Sequence, residues 1–143
     1  MDTVATPEEA LAHGFRALRH AAYPQAAAYF EAVLTGDPTS HTAWYGRGMA
    51  LYHAGDDTAA LHAFQEAERL QPQSHLACYG CGVAFAELGR VDEALAAFDH
   101  AIALQPESHL AWLAKGMLLT EEQRWHEAFP VLQEAIALHP SGT

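Results

Sequence analysis

The fold is decided by two adjacent stretches of 34 residues: residues 41–74, HTAWYGRGMALYHAGDDTAALHAFQEAERLQPQS, and residues 75–108, HLACYGCGVAFAELGRVDEALAAFDHAIALQPES. Residues 109–142, HLAWLAKGMLLTEEQRWHEAFPVLQEAIALHPSG, continue the pattern, and residues 7–40 follow it with weaker identity. The four stretches align without a gap. A fixed period of this length predicts four similar structural units, each of which buries its apolar face mainly against its neighbours.

The alignment shows which positions of the repeat carry the structure. We number each repeat from 1 to 34, so that residues 7, 41, 75 and 109 share position 1. Small or apolar residues at positions 4, 8 and 11, and again at 20, 24 and 27, have helical spacing and predict two helices per repeat. Proline at position 32 ends the second helix, because it cannot extend the hydrogen-bond ladder. The columns that recur are glycine at position 8, alanine at 20, proline at 32, and at 24 Phe30, Phe64, Phe98 and Leu132.

These columns resemble the tetratricopeptide repeat, whose tryptophan, glycine, tyrosine, alanine, phenylalanine and proline signature has this spacing and period. The resemblance implies an all-α, right-handed superhelical solenoid of four helix-turn-helix repeats. Position 7, usually leucine in this family, holds His13, Arg47, Cys81 and Lys115, and arginine or lysine at this position resembles bacterial-looking versions of the repeat. The predicted organisation is a lead-in over 1–6, repeats over 7–40, 41–74, 75–108 and 109–142, and a single solenoid domain over 7–140.

Composition excludes several classes of partner. Seven basic and eighteen acidic residues give a formal net charge of -11, which disfavours nucleic acid and anionic lipid as partners. No run approaches the roughly 18 apolar residues that cross a membrane, so membrane insertion is not expected. The start, MDTVATPEEA, has no basic region followed by an apolar one, as a secretory signal would. Two cysteines are too few for a disulfide framework, and we expect a cytoplasmic protein.

The pair Cys78 and Cys81 forms the one C-x-x-C motif in the chain. It has the spacing of a redox dithiol or of half a zinc site. Register places both cysteines on or beside the core-facing side of the first helix of repeat 3, where free cysteine acts as a small buried hydrophobe. We favour structural cysteines, with a thiol-redox or metal-binding protein as the alternative.

Three histidines share position 1, one in each of repeats 2 to 4: His41, His75 and His109. Equivalent atoms of stacked repeats lie on the order of 10 Å apart, too far for shared metal ligands. We expect these histidines to be solvated at the turns, and we expect no metal site and no cofactor. Motifs for phosphate-binding loops, serine hydrolases and zinc peptidases do not occur in the sequence, and we predict no catalytic residues and no enzyme.

The resemblance implies that the first helices line a concave groove, with positions 2, 5, 9 and 12 pointing into it. Fifteen of these sixteen positions are uncharged; Glu8 is the exception. An apolar, aromatic groove predicts a non-enzymatic interaction module for an apolar or amphipathic peptide or partner segment. The lysine, asparagine and arginine clamp that some family members use for acidic tails does not occur at the corresponding positions. The candidate contact residues are Phe15, Tyr45, Met49, Tyr52, Leu76, Tyr79, Val83, Leu110, Leu113 and Met117.

The carboxyl-terminal repeat carries a second candidate surface. Solenoids usually finish with a polar capping element, whereas this sequence stops three residues after Pro140 with SGT. We expect either a fragment of a longer protein or a surface that packs on a partner or another copy. A self-associating scaffold for complex assembly is therefore the alternative function. The predicted self-association residues are Trp125, Phe129, Leu132 and Ile136.

Overall fold

The chain is seen in a computed structural model that describes residues 6–139. Within that range it forms eight helices and no strand, which confirms the predicted all-α class of four helix-turn-helix repeats. Most of the predicted lead-in, and Pro140 with the residues after it, lie outside the described residues. The helices are α1 (Pro7–Arg19), α2 (Tyr23–Gly36), α3 (His41–His53), α4 (Asp57–Leu70), α5 (His75–Glu87), α6 (Val91–Leu104), α7 (His109–Glu121) and α8 (Trp125–Leu138).

The chain divides into two compact units of two helix pairs each, Met1–Pro72 with α1 to α4 and Gln73–Thr143 with α5 to α8. In each unit the two helices of a pair pack on each other, and the second helix of the first pair also packs on the first helix of the second pair. None of the described helices combines the length and apolar character needed to cross a bilayer.

Side-chain caps start most of the first helices. Thr6 accepts a hydrogen bond from the backbone N–H of Glu9, and Ser40 and Ser74 accept from the residue three places on. Such caps satisfy N–H groups that have no partner inside the helix. Ser108 stands at the same position before α7 but makes no side-chain capping bond.

The turn between the two helices of each repeat contains one residue with a left-handed backbone conformation. Gly55 and Gly89 have φ angles of 91° and 77°, and Gln123 and Ala21 occupy the matching places at 59°. The turn of repeat 4 thus keeps its geometry although glutamine replaces glycine, at a steric cost that glycine avoids. Pro130 is exposed inside α8, which nevertheless continues unbroken from Trp125 to Leu138.

The core of each pair is a large position-24 side chain set against a position-8 glycine. A Cβ added to Gly14, Gly48 or Gly82 would lie 2.7, 2.6 or 2.5 Å from the phenylalanine ring of the same repeat. Gly116 meets Leu132 in the same way. Phe30, Phe64 and Phe98 are at most 1 % exposed. The glycine column therefore exists because no other residue lets the two helices approach this closely around the ring.

Polar contacts also recur with the repeat. The indole N–H of Trp44 donates to the carbonyl of Pro38 at 2.8 Å, and Trp112 does the same to Pro106. An ion pair at position 7 also recurs: Arg47 pairs with Glu31 at 2.9 Å in the first unit. Lys115 pairs with Asp99 at 2.6 Å in the second unit. Each of these ion pairs joins the second helix of one repeat to the first helix of the next.

Substitution of alanine at Gly48 tests the glycine column. We expect Gly48→Ala to lower the free energy of unfolding by about 1–3 kcal/mol, because the new methyl overpacks the ring of Phe64. The measurement is urea unfolding followed by circular dichroism. Gly36→Ala is the matched control: nothing lies within 4 Å of its added Cβ, and alanine favours the helix by up to about 1 kcal/mol. Equal effects at the two sites would contradict the packing argument.

Candidate partner-binding surface

In the first unit the four candidate residues are half-buried rather than fully exposed. Phe15 lies edge-on to the ring of Phe30, with ring centroids 4.9 Å apart. Tyr45 lies 5.8 Å from Phe64 by the same measure, and Tyr52 contacts His53. The position-9 side chain of α1 and the position-5 side chain of α3 thus contribute part of their surface to the core of the unit.

We call the residues at positions 2, 5, 9 and 12 of the first helices the stripe. In the second unit several of its side chains are more exposed to solvent. Leu76 at the start of α5 is 37 % exposed, and Leu110 and Met117 on α7 are 50 % and 53 % exposed. Val83 and Leu113 are half-buried beside them. Single exposed apolar residues are common on protein surfaces, whereas groups of them mark interaction sites.

Tyr79 is the member of this stripe most engaged in packing. Its ring centroid lies 6.1 Å from that of Phe98, and it packs against the clusters around Cys78 and Leu118. Burial raises the pKa of its phenol above the ordinary value. Tyr79 therefore packs mainly against the core beneath the stripe, and less of its surface can contact a partner than its sequence position suggests.

Charge is distributed unequally between the two kinds of helix. The stripe residues of α5 and α7 carry no charge, whereas Asp92, Glu93 and Asp99 lie exposed on α6. Arg90 forms a two-point ion pair with Glu93, at 2.7 and 2.8 Å. The acidic surface of the second unit is therefore separated from its apolar stripe.

Both cysteines are buried thiols, Cys78 at 0 % and Cys81 at 3 % exposure. Cys78 packs with Ala101 and Ala111, and its Sγ lies 3.4 Å from Nδ1 of His100. A reactive dithiol requires an accessible thiol. The burial supports the structural assignment, and the contact with His100 could not be foreseen from the sequence because the two residues are 22 positions apart.

The position-1 histidines differ from our expectation of solvated turn residues. His41, His75 and His109 are all half-buried. Nδ1 of His109 lies 2.8 Å from the carbonyl oxygen of Ala135, and its ring contacts that of His139. In repeat 4 the start of α7 thus lies close to the end of α8, which is why His109 is covered.

A pocket of about 530 Å³, which the sequence did not predict, lies in the first unit between the start of α1 and the end of α2. Its walls are mainly apolar and include Ala10, Tyr29 and Val33. Asp37 stands at its edge, where the hydroxyl and backbone N–H of Thr39 donate to the carboxylate and lower its pKa. A carboxylate held in this way is ionised and is not poised as a general acid.

Burial of the two thiols predicts slow labelling. We expect maleimide to modify Cys78 and Cys81 at least about 100-fold more slowly in the folded protein than in urea, because both sulfurs lie in the core. Mass spectrometry of Cys78→Ala and Cys81→Ala separates the two sites. A thiol that reacts as fast in the folded protein as in urea would restore the redox alternative.

Burial also lowers the pKa of His41 below its ordinary value of 6.5, and its buried Nε2 makes no hydrogen bond among the described residues. The unfolded chain therefore takes up this proton at higher pH than the folded chain, and stability falls as the pH drops below about 6.5.

We expect the loss of stability between pH 7.5 and pH 5.5, measured by urea unfolding, to be smaller in His41→Gln than in the natural chain. The exposed His126→Gln is the control. An unchanged loss in His41→Gln would contradict the assignment.

Solved structures with the same fold cover most of this chain. The TTC0263 protein of Thermus thermophilus, described as a thermophilic TPR protein, is 19 % identical, with a TM-score of 0.87 over 94 % of this chain and 75 % of its own. A crystal structure of MamA is 23 % identical, with a TM-score of 0.81 over 93 % and 78 %. MamA 41-end from Desulfovibrio magneticus RS-1 is 21 % identical, with a TM-score of 0.82 over 93 % and 75 %. At these identities the likeness is one of fold. No curated protein sequence matches the chain.

A family model described as "Tetratricopeptide repeat" matches residues 10–75 and 79–143. Each match covers two repeats, and together the matches span nearly the whole sequence. The chain therefore belongs to the tetratricopeptide repeat family, whose members generally serve as protein–protein interaction modules and are typically non-enzymatic scaffolds.

Proposed function

We propose that this chain is a non-enzymatic module that binds an apolar or amphipathic segment of a protein partner along the stripe of its first helices. The observation that carries the proposal is the exposure of Leu76, Leu110 and Met117 together on one uncharged surface of α5 and α7. Water-exposed leucine and methionine at this density gain free energy when a partner covers them.

The chemistry of the stripe defines the kind of segment. Leucine, valine and methionine offer no charge and no strong hydrogen bond, so the partner contributes apolar side chains at helical or extended spacing. Methionine adds a flexible, polarisable side chain that adapts to partners of varied shape. Acidic tails are disfavoured, because the net charge of the chain is -11 and no basic side chain stands among the candidate residues.

Charge introduced on the stripe tests the proposal. We expect Leu110→Glu with Met117→Glu to lower the affinity for captured partners at least about tenfold, because a partner would have to bury two unpaired carboxylates. The two residues are at least half exposed, so circular dichroism should stay unchanged. The measurement is quantitative capture from the source cell followed by titration of each captured protein.

The matched control is Ala96→Glu with Ala103→Glu, which adds the same charge at exposed positions of α6. Partners retained by the control and lost by the stripe variant support the proposal. Partners that bind both variants equally well would locate the interaction elsewhere.

A second candidate function, self-association, is favoured by the exposure of α8. Trp125, Phe129 and Ile136 are 59 %, 66 % and 70 % exposed, the largest exposures among the big apolar residues described. Leu132 lies on the same side of the helix and is half-buried, because it also packs against Gly116 of α7; the four residues form one stripe along α8. We propose that this stripe, called here the α8 stripe, joins copies of the chain.

A further inference from the structure

The equivalents of the α8 stripe residues in other repeats pack against a neighbouring helix. Trp125, Phe129 and Ile136 stand at positions 17, 21 and 28. In repeat 3 these positions hold Val91, Leu95 and Ile102, which pack against clusters that include Leu118 and Ala111 of α7.

Repeat 1 shows the same use of these positions. Tyr23 stacks on His53 of α3, with ring centroids 5.2 Å apart, and Leu34 packs against the cluster that includes Ala43. In both units, therefore, the surface that α8 leaves exposed is one that a neighbouring helix covers.

Head-to-tail stacking would place α1 of a second copy on the α8 stripe, but α1 does not fit it. The helices that receive such a surface present alanine at position 3 and a buried Ala50 or Leu118 at position 10. In α1 the same positions are Glu9 and Arg16, both exposed. Stacking on α1 would bury these charges against tryptophan and isoleucine, with the neutral Gln133 where repeats 1 and 3 supply Glu31 and Asp99.

The α8 stripe is instead complementary to itself. Its members are spaced four, three and four residues apart, from Trp125 through Phe129 and Leu132 to Ile136. This spacing is the same in both directions along the helix. Two antiparallel copies would therefore place Trp125 beside the partner's Ile136 and Phe129 beside the partner's Leu132, in the manner of an antiparallel helix seam.

Charge on α8 is compatible with such a pair. Glu127 is bound to Arg124 at 2.6 Å, and both Glu127 and Glu134 lie two residues from a stripe member, on the opposite side of the helix. A chain with eighteen acidic residues thus keeps every carboxylate of this helix off the stripe. Antiparallel packing also opposes the helix dipoles favourably.

Resting on the proposed self-association, we infer that two copies of this chain form a closed dimer by antiparallel pairing of their α8 stripes about a two-fold axis. The stripe is short, about 17 Å along the helix, so the dimer is weak and forms in the micromolar range or above. A two-fold contact uses the same surface on both copies, and for that reason association stops at two.

Sedimentation velocity of the full chain between about 1 and 500 µM tests the inference. We expect a monomer–dimer equilibrium with no larger species, and at least about tenfold weaker association in Phe129→Glu and in Phe129→Lys. The pairing sets the two copies of residue 129 three residues apart along the helices, about 4.5 Å, so each substitution brings two like charges close together beside the axis. An equimolar mixture of these two variants should form dimers again. Ala96→Glu on α6 is the control and should dimerise like the natural chain.

The outcomes separate this inference from self-association in general. A natural chain that stays monomeric at 500 µM would overturn both. An open series of oligomers, or dimers that survive Phe129→Glu, would retain self-association and overturn the two-fold α8 contact. Failure of the mixed variants to associate would also overturn it, because the two copies of residue 129 would then not meet. Capture of partners by the stripe of α5 and α7 is unaffected by any of these results.

Discussion

Each helix pair of this protein closes on one contact, a large side chain at position 24 pressed against a glycine at position 8. In three repeats the side chain is phenylalanine, and the ring lies where any Cβ on the opposing helix would have to be. The close approach orients the first helix as well as joining it, because only one of its faces can carry the glycine. Once that face is turned inward, positions 2, 5, 9 and 12 lie at the edge of the core of the pair, and each of these side chains keeps part of its surface open to solvent. The candidate binding surface is thus a consequence of how the core packs.

Contacts between repeats depend on different positions. In each unit the second helix of one repeat covers small residues of the next first helix, such as Ala43 and Ala111, and a basic residue at position 7 pairs with an acid at position 25. The ion pairs are partly exposed, so each stabilises the protein by no more than about 1 kcal/mol. Their larger effect is on specificity, because they set which helix faces can meet. Side-chain chemistry limits contacts in the same way at repeats 1 and 4, because the exposed charges of α1 do not match the apolar stripe of α8.

Separation of charge from apolar surface connects the fold to its function. The family generally provides protein-binding surfaces. In this chain nine of the eighteen acidic residues lie on second helices and four on first helices, which present leucine, tyrosine and methionine. A net charge of -11 keeps copies and polyanions apart at long range. Association is then confined to those surfaces that lack charge, where short-range burial of apolar area outweighs the repulsion.

The amino-acid sequence is sufficient to specify the architecture. The 34-residue period, the glycine column at position 8 and the large apolar residues at position 24 agree in all four repeats, and local agreement of this kind is what specifies helices and their pairing. It also identified the burial of Cys78, because register alone assigns a residue to the inner side of a helix. The tertiary structure decided how much of each side chain remains available. Phe15, Tyr45 and Tyr79 share their stripe with Leu110 and Met117 in the sequence, yet the first three give much of their surface to neighbouring rings while the last two do not. The exposed fraction of a side chain depends on the size of neighbouring residues that are distant in sequence. Helical spacing predicts which side of the helix a side chain lies on, but not how much of it those neighbours cover. The contacts of Cys78 with His100 and of Lys115 with Asp99 arise for the same reason, since each joins helices whose distance only folding sets.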